Sequence, residues 1–228
     1  MSWVKQTFTS SIGRKFAMAL SALFLMFFLL QHFAINFTSV FGDKTFNEIS
    51  YFMGTNPLVQ FALQPVLIFA VIYHFAMGFV LEIKNKKARE VKYAKNNGAA
   101  NSTWFSRNMI WSGLVILAFL ALHFYDFWIP EISTKYIQGD MSGMHDGQFR
   151  YYEELVHKFE DPFRVGIYVL SFVLLAMHLL HGFQSAFQSI GANHSKYTPA
   201  IKKLGNIYAI AIPAGFIFIA LFHHLTGH

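Results

Sequence analysis

The sequence predicts an all-α integral membrane protein, built as one bundle of five transmembrane helices. Of its residues, 54% are hydrophobic and only 13% are charged, about half the charged fraction of an ordinary soluble domain. Five separate stretches are apolar over about 20 residues, which is the length that a helix needs to cross a hydrocarbon core of roughly 30 Å. We therefore take residues 1–228 as one membrane domain.

The five predicted spans lie at residues 14–36, 58–82, 107–129, 163–188 and 205–225. The first follows Arg14 and Lys15, and its apolar run is longer than that of a signal peptide, so we expect it to be retained. Pro65 and Pro213 fall inside the second and fifth spans and predict kinks without breaks, because neighbouring helices can satisfy the freed backbone groups. We detect no internal repeat.

The charges of the connections predict the orientation. Residues 82–107 carry seven Lys and Arg against two acids, whereas residues 129–162 carry three against seven. The positive-inside rule then places the N-terminus inside and the C-terminus outside. The net charge of +6 is thus explained by topology, and no nucleic-acid partner is expected. Aromatic and apolar residues of the acidic connection, among them Tyr151 and Leu155, predict a short interfacial helix that caps the outer face.

The chain has no cysteine but eleven histidines, so any metal or redox site must use histidine. Five of them lie within the first four spans: His32, His74, His123, His178 and His181. An ionisable side chain in a membrane span is costly and is therefore a functional candidate. The alternative for any one of them is a neutral imidazole hydrogen-bonded between helices. We expect no buried histidine in the fifth span, and three at its outer end in solvent: His223, His224 and His228.

Helix rise sorts four of these histidines into two pairs. On the outward-running first and third spans, His32 and His123 lie about 27 and 24 Å beyond the inner ends. On the inward-running second and fourth spans, His74 and His178 lie about 12 and 9 Å before the inner ends. The pairs therefore lie at depths about 15 Å apart. One imidazole from each of two helices is the arrangement that bis-histidine haem needs.

A glycine follows each histidine of the inner pair. Gly78 and Gly182 lie four residues after His74 and His178, on the same helix face. A glycine there leaves room for a macrocycle lying along the helix, or for close packing of two helices. This spacing and the depth favour His178 over His181 as a ligand. His181 would then bond a propionate or support another group.

These residues resemble the cytochrome b membrane anchor of succinate dehydrogenase and fumarate reductase, in the single-subunit form with five spans and two haems. The resemblance covers nearly the whole chain and rests on SSIGRKF (10–16), FLLQHFAINF (28–37), YHFAMG (73–78), ALHFYDFW (121–128) and HLLHGFQSAFQSIG (178–191). It implies a multi-pass subunit of the bacterial inner (cytoplasmic) membrane with no dehydrogenase site of its own. That subunit holds the flavoprotein and iron-sulfur subunits on the inner face, within the respiratory chain and the tricarboxylic acid cycle.

The resemblance also implies the cofactors and their ligands. Electrons would pass between the iron-sulfur subunit and a quinone, expected to be menaquinone, through two b-type haems. His74 and His178 would bind the iron of the inner haem, and His32 and His123 that of the outer one. Residues at the inner ends of the first and third spans can bond haem propionates or meet the iron-sulfur subunit, or they only set the topology: Ser10, Ser11, Arg14, Lys15 and Arg107.

Two acidic residues are candidates for proton transfer to or from the quinone. Asp126 lies one turn after His123, so it can relay protons or orient an imidazole; as an alternative, it lies in water at the interface. Glu48, in the outer connection before the second span, is the second candidate. Succinate oxidation and fumarate reduction are both compatible with these residues.

Three other functions fit parts of the pattern. One is a dihaem cytochrome b anchor of another respiratory complex, such as a hydrogenase, formate dehydrogenase or nitrate reductase. Another is a His-lined transporter of divalent metal ions or protons, which would be expected to pair its histidines with intramembrane carboxylates; the interiors of the first, second and fourth spans have none. The last is a haemless structural anchor, in which four membrane histidines would lack a purpose.

Overall fold

The computed structural model describes residues 10–87, 108–145 and 147–227. Arg107 and His228, both discussed above, lie outside this part of the chain. The described residues confirm an all-α fold and contain five helices long and apolar enough to cross a membrane: Ser11–Phe41, Val59–Asn85, Met109–Ile137, Pro162–Ser189 and Thr198–Thr226. The inner end is the end of the bundle at which the first and last of these helices begin, and the outer end is the opposite one.

The elements follow in chain order as α1 (Ser11–Phe37), α2 (Asp43–Thr55), α3 (Gln64–Lys87), α4 (Met109–His123), α5 (Ile129–Ile132), β1 (Met144–His145), β2 (Gln148–Phe149), α6 (Tyr151–Phe159), α7 (Pro162–Ser189) and α8 (Thr198–Thr226). A 3-10 turn, Thr38–Phe41, extends α1, and a π turn, Val59–Leu63, precedes α3. Two more π turns flank α5. Phe124–Trp128 joins it to α4, and Ser133–Ile137 follows it. The two strands form a minimal antiparallel hairpin.

Three spans are clearly longer than predicted. The first runs from Ser11 to Phe41 instead of residues 14–36. The third continues past Pro130 to Ile137; the proline directly follows the π turn Phe124–Trp128, and such local π adjustments accommodate proline within a membrane helix. The fifth begins at Thr198 instead of residue 205, with a proline in its first turn. As predicted, Pro65 and Pro213 do not break their helices.

Helices α2 and α6 lie at the outer end. The predicted short helix of the acidic connection is present as α6, and its Leu155 and Phe159 are buried in the core of the bundle. Helix α2 was not predicted, because its mixed polar and apolar sequence lacks the long apolar run by which the spans were found. The two are joined where the backbone N–H of Tyr152 donates to Asn47 Oδ1 at 2.8 Å.

Two groups of buried apolar side chains hold the bundle together. The outer group combines Leu155 and Phe159 of α6 with residues such as Tyr168, Phe172 and Phe216 of α7 and α8. The inner group joins α1, α7 and α8: Ala19, Met26, Leu179, Phe183, Ala186 and Ala209. Many large apolar side chains of the spans instead point outward, with Phe27 69% exposed and Phe69 67% exposed. Such a surface suits contact with lipid.

The prediction that His223 lies in solvent was wrong. His223 is 1% exposed, with Nε2 2.8 Å from Ser39 Oγ. The Ser39 hydroxyl donates to the Asn36 carbonyl at 2.6 Å, so it accepts from His223. His224 Nδ1 lies 2.8 Å from the carbonyl of Phe159, to which it can donate. Hydropathy could not reveal this burial, because it results from packing of α6 and the 3-10 turn over the end of α8.

Candidate functional site

The inner histidine pair consists of His74 on α3 and His178 on α7. Their ring centres lie 6.4 Å apart, with the ring planes at 70°. His181, one turn nearer the inner end, is half-buried. The histidine that faces His74 is therefore His178, which is the residue that the glycine spacing favoured.

A serine contacts the Nδ1 atom of each inner histidine. Ser21 Oγ of α1 lies 3.2 Å from His74 Nδ1, and Ser112 Oγ of α4 lies 3.2 Å from His178 Nδ1. Neither serine was predicted as a site residue. Only the facing of α1 against α3, and of α4 against α7, brings each serine to its histidine, and hydropathy does not contain that information.

A cavity lies beside the inner pair. It is open on one side, and its walls include both histidines, Gly78 and Gly113. A Cβ on Gly78 would lie 3.7 Å from Met18 Cε, and one on Gly113 3.8 Å from His178 Cε1. Side chains at these positions would therefore occupy space beside the histidines. Gly113 was not predicted as a site residue, although its position as a glycine within the third span could have indicated it.

Gly182 has a setting similar to that of Gly78. A Cβ there would lie 3.4 Å from Met109 Cε, an ordinary contact distance. Met109 lines the same cavity, so a side chain at Gly182 would meet the cavity wall.

The outer pair consists of His32 on α1 and His123 at the end of α4. The ring centres lie 5.7 Å apart and the planes are nearly perpendicular, at 83°. A phenylalanine one turn earlier stacks on each ring: Phe28 on His32 at 5.4 Å and Phe119 on His123 at 5.9 Å. His123 Nδ1 is buried with no hydrogen-bond partner among the described residues.

Both pairs have a separation that suits two imidazoles on one iron. A bond from a metal ion to an imidazole nitrogen is about 2 Å long, so ligands on opposite sides of one ion place their ring centres roughly 6 Å apart. The observed separations of 5.7 and 6.4 Å lie close to this value. No group of three or more His, Asp or Glu side chains is placed to hold a metal ion within the described residues. Haem iron needs only the two axial ligands from the protein.

The residues at the inner end of α1 differ in exposure. Ser10 caps the helix, its Oγ accepting from the Gly13 N–H at 2.9 Å, as expected for an N-cap serine. Ser11 and Lys15 are exposed. The Nε atom of Arg14 is buried without a hydrogen-bond partner among the described residues, so it can donate to an acceptor bound there.

Asp126 is buried, so its alternative interpretation as a water-exposed interfacial residue was wrong. It is 2% exposed in the π turn after α4. Its Oδ2 accepts from the Tyr168 hydroxyl at 2.9 Å and lies 3.3 Å from Arg164 Nε. Its Oδ1 has no partner in the described part of the protein. Since His123 Nδ1 is also unpartnered, Asp126 does not orient that imidazole. Glu48 is exposed on α2.

An ion-pair network at the outer end was not predicted. Lys135 is 1% exposed, pairs with Glu131 at 2.5 Å and donates to the carbonyl of Gly54. Arg150 pairs with Glu131 and, at 2.6 Å, with Glu154. Burial disfavours the charged form of Arg150, but hydrogen bonds to Glu154 and Glu131 and their charges outweigh it, so the pKa of Arg150 is raised. The network joins the third span to α2 and to the start of α6.

The contacts of the inner and outer histidine pairs reveal an internal repeat, which was not predicted. The first and third spans share the pattern M-x2-S-x6-F-x3-H, at Met18, Ser21, Phe28 and His32 and at Met109, Ser112, Phe119 and His123. The second and fourth spans share H-x3-G. In each half a serine contacts a histidine and a phenylalanine stacks on one. Each pair therefore joins equivalent residues of two similar halves.

The chain is similar to the succinate dehydrogenase cytochrome b558 subunit of Bacillus subtilis (strain 168), with 22% identity over 200 residues. The aligned region covers 85% of this chain and 85% of the relative. No protein-family model matches the chain, and no solved structure matches it significantly.

Proposed function

We propose that this protein is the cytochrome b membrane anchor of a succinate dehydrogenase or fumarate reductase complex, and that it carries two b-type haems. The observation that carries the proposal is the presence of two histidine pairs, at 5.7 and 6.4 Å, inside a bundle of five apolar helices. The similarity to a succinate dehydrogenase cytochrome b subunit over most of both chains supports it.

The residues of the inner pair fit a haem. His74 and His178 would bind its iron, while Gly78 and Gly113 keep open the cavity at their side. At the inner end of α1, the buried Nε of Arg14 lacks a partner among the described residues and would bond a propionate. His181 is a second candidate for that bond.

The residues of the outer pair fit the second haem. His32 and His123 would bind its iron, with Phe28 and Phe119 stacked on the imidazoles and limiting their rotation. When bound, the two haems supply one-electron transfer between the two depths of the bundle. The chain holds both pairs in one bundle, with one histidine of the pairs on each of α1, α3, α4 and α7.

The charges of the loops suggest how the subunit is placed. Basic residues concentrate at the inner end, where Lys84, Lys87, Lys196, Lys202 and Lys203 are exposed. This favours the N-terminus inside a bacterial cytoplasmic membrane, with the flavoprotein and iron-sulfur subunits bound on the same face. Quinone, with menaquinone as the expected species, would then exchange electrons with the chain.

Affinity purification of the tagged full-length chain from its own membranes tests the function. We expect a flavoprotein and an iron-sulfur protein to copurify, and succinate to reduce the haem absorbance of the complex. Recovery of hydrogenase or formate dehydrogenase subunits, or an intact complex whose haems succinate does not reduce, would contradict the proposal and favour another respiratory anchor.

Replacing Asp126 by asparagine is expected to slow the quinone reaction about 100-fold, the lower range of general acid–base effects. We propose that its Oδ1, which has no partner among the described residues, passes protons to or from quinone near the outer pair. The Tyr168 hydroxyl that donates to Asp126 belongs to a ring that lies 6.5 Å from that of His123. The measurement is succinate-dependent quinone reduction, with the succinate-reduced spectrum as control.

Glu48→Gln provides the comparison, because Glu48 is the other proton-transfer candidate and lies exposed on α2. Haem reduction by succinate should be normal in both variants. A quinone rate that falls in Glu48→Gln but not in Asp126→Asn would assign the proton step to Glu48 instead.

A further inference from the structure

We infer that Ser21 and Ser112 are positioning residues of the inner haem site. By accepting a hydrogen bond from Nδ1 of His74 and of His178, they hold each imidazole with its Nε2 lone pair directed to the iron. This inference rests on the proposed function, because it requires a haem between the two histidines.

The direction of these hydrogen bonds follows from the single proton of each hydroxyl. Ser21 donates to the carbonyl of Met18 at 2.7 Å, and Ser112 to the carbonyl of Met109 at 2.9 Å. With its proton used, each serine oxygen can only accept from the imidazole 3.2 Å away. Nδ1 therefore carries the proton and Nε2 is unprotonated, which is the tautomer that a metal ligand needs.

A serine in a span does not need a histidine to be satisfied. Ser171 on α7 is buried and donates to the carbonyl of Ile167 at 2.7 Å, which places its hydroxyl proton without a histidine. The contacts of Ser21 and Ser112 with the histidines are thus additional to their bonds with the helix backbone. Ser171 is a matched control for them.

The outer pair has no equivalent support in the described structure. His123 Nδ1 has no hydrogen-bond partner there. His32 Nδ1 lies 3.4 Å from Asn36 Nδ2, a group that donates to the carbonyl of His32 at 2.8 Å. An amide NH2 group is a donor and cannot accept an imidazole proton. The serines therefore distinguish the inner site from the outer one.

The repeat gives an independent argument. Both serines belong to an M-x2-S turn at equivalent positions of the two halves. In each turn the methionine carbonyl takes the hydroxyl proton, and the methionine side chain lines the cavity beside the histidines. The same short motif thus sets the imidazole and part of the cavity wall in both halves.

Alanine and threonine substitutions in the full-length protein test the inference. Ser21→Ala, Ser112→Ala and the double variant are compared with Ser→Thr at both positions, which keeps the hydroxyls, and with Ser171→Ala. The readouts are the haem content, the affinity for added haem and the midpoint potential of each haem in a redox titration.

We expect the alanine variants to bind the inner haem roughly 10-fold more weakly, as for other groups that support a metal-bound histidine. The inner-haem potential should rise, because an imidazole that donates a hydrogen bond is a more basic ligand. The outer haem should keep its potential and content, which reports correct folding. Threonine should restore the wild-type values, and Ser171→Ala should change none of them.

Three results would overturn the inference. They are a double alanine variant with wild-type affinity and potential at the inner haem, loss of both haems together, and an equal effect of Ser171→Ala. A wild-type protein that binds no haem would instead refute the proposed function on which the inference rests.

Discussion

Replacing His178 by alanine is expected to remove the inner haem and to leave the outer one, so that the haem content falls by half. His178 faces His74 across 6.4 Å, and an iron that loses one of its two axial protein ligands is no longer held from both sides. Haem quantification and a reduced-minus-oxidised spectrum of the purified variant measure this. His74→Ala should give the same result, because the two residues would bind one iron.

His181→Ala is the matched control for His178→Ala. His181 lies three residues away on the same helix but is not the histidine that faces His74. Losing a propionate bond from His181 would at most weaken the binding of the inner haem, so both haems should stay bound. His32→Ala should remove the outer haem in the same way. If His178→Ala removed only the outer haem, or if His181→Ala removed the inner one, the assignment of the pairs would be wrong.

Replacing Glu131 by alanine is expected to destabilise the protein by about 3 kcal/mol, the lower end of the range for breaking a buried ion pair. The reason is that Glu131 is the shared partner of Lys135 and Arg150. Without it, Lys135 would stay buried as a charge, hydrogen-bonded to the carbonyl of Gly54. Thermal or denaturant unfolding in detergent, with the haem spectrum as a probe of the bundle, measures the effect.

Glu160→Ala is the control for this prediction, because Glu160 pairs with His157 at 3.1 Å on the exposed surface of α6. Such a pair contributes at most about 1 kcal/mol. Adding Lys135→Met to Glu131→Ala should recover part of the lost stability, since the buried charge is then replaced by an apolar side chain. Equal effects of Glu131→Ala and Glu160→Ala would show that the network does not stabilise the outer end.

The positions of the spans and the depths of the histidines could be predicted because they depend on local properties. Apolar length identifies a span, and a rise of 1.5 Å per residue sets the depth of each residue along it. These two quantities were enough to group His32 with His123 and His74 with His178. Glycine spacing added the choice of His178 over His181.

Contacts between helices could not be predicted, because they depend on which faces of the helices meet. Ser21 and Ser112 are ordinary small residues of a span until the bundle places each of them beside a histidine. His223 looked like an exposed residue near the chain end, but it is buried. One interpretation placed Asp126 in water at the interface, but it is buried. Its burial could not be predicted because it depends on Tyr168 and Arg164 of another span.

The internal repeat was present in the sequence but too sparse to notice. Four matching positions, Met, Ser, Phe and His, recur in two spans, and apart from Gln31 the residues between them are apolar in both halves, as in any membrane helix. The repeat becomes visible only when its members are seen to make the same contacts.

The reduced-minus-oxidised optical spectrum of the purified full-length protein tests the central claim most directly. We predict a b-type haem spectrum with two haems per chain, because each of the two histidine pairs would hold one iron. A protein purified intact without haem absorbance would contradict the account. The four membrane histidines would then have to be explained by another function, with a His-lined metal or proton transporter as the first alternative to test.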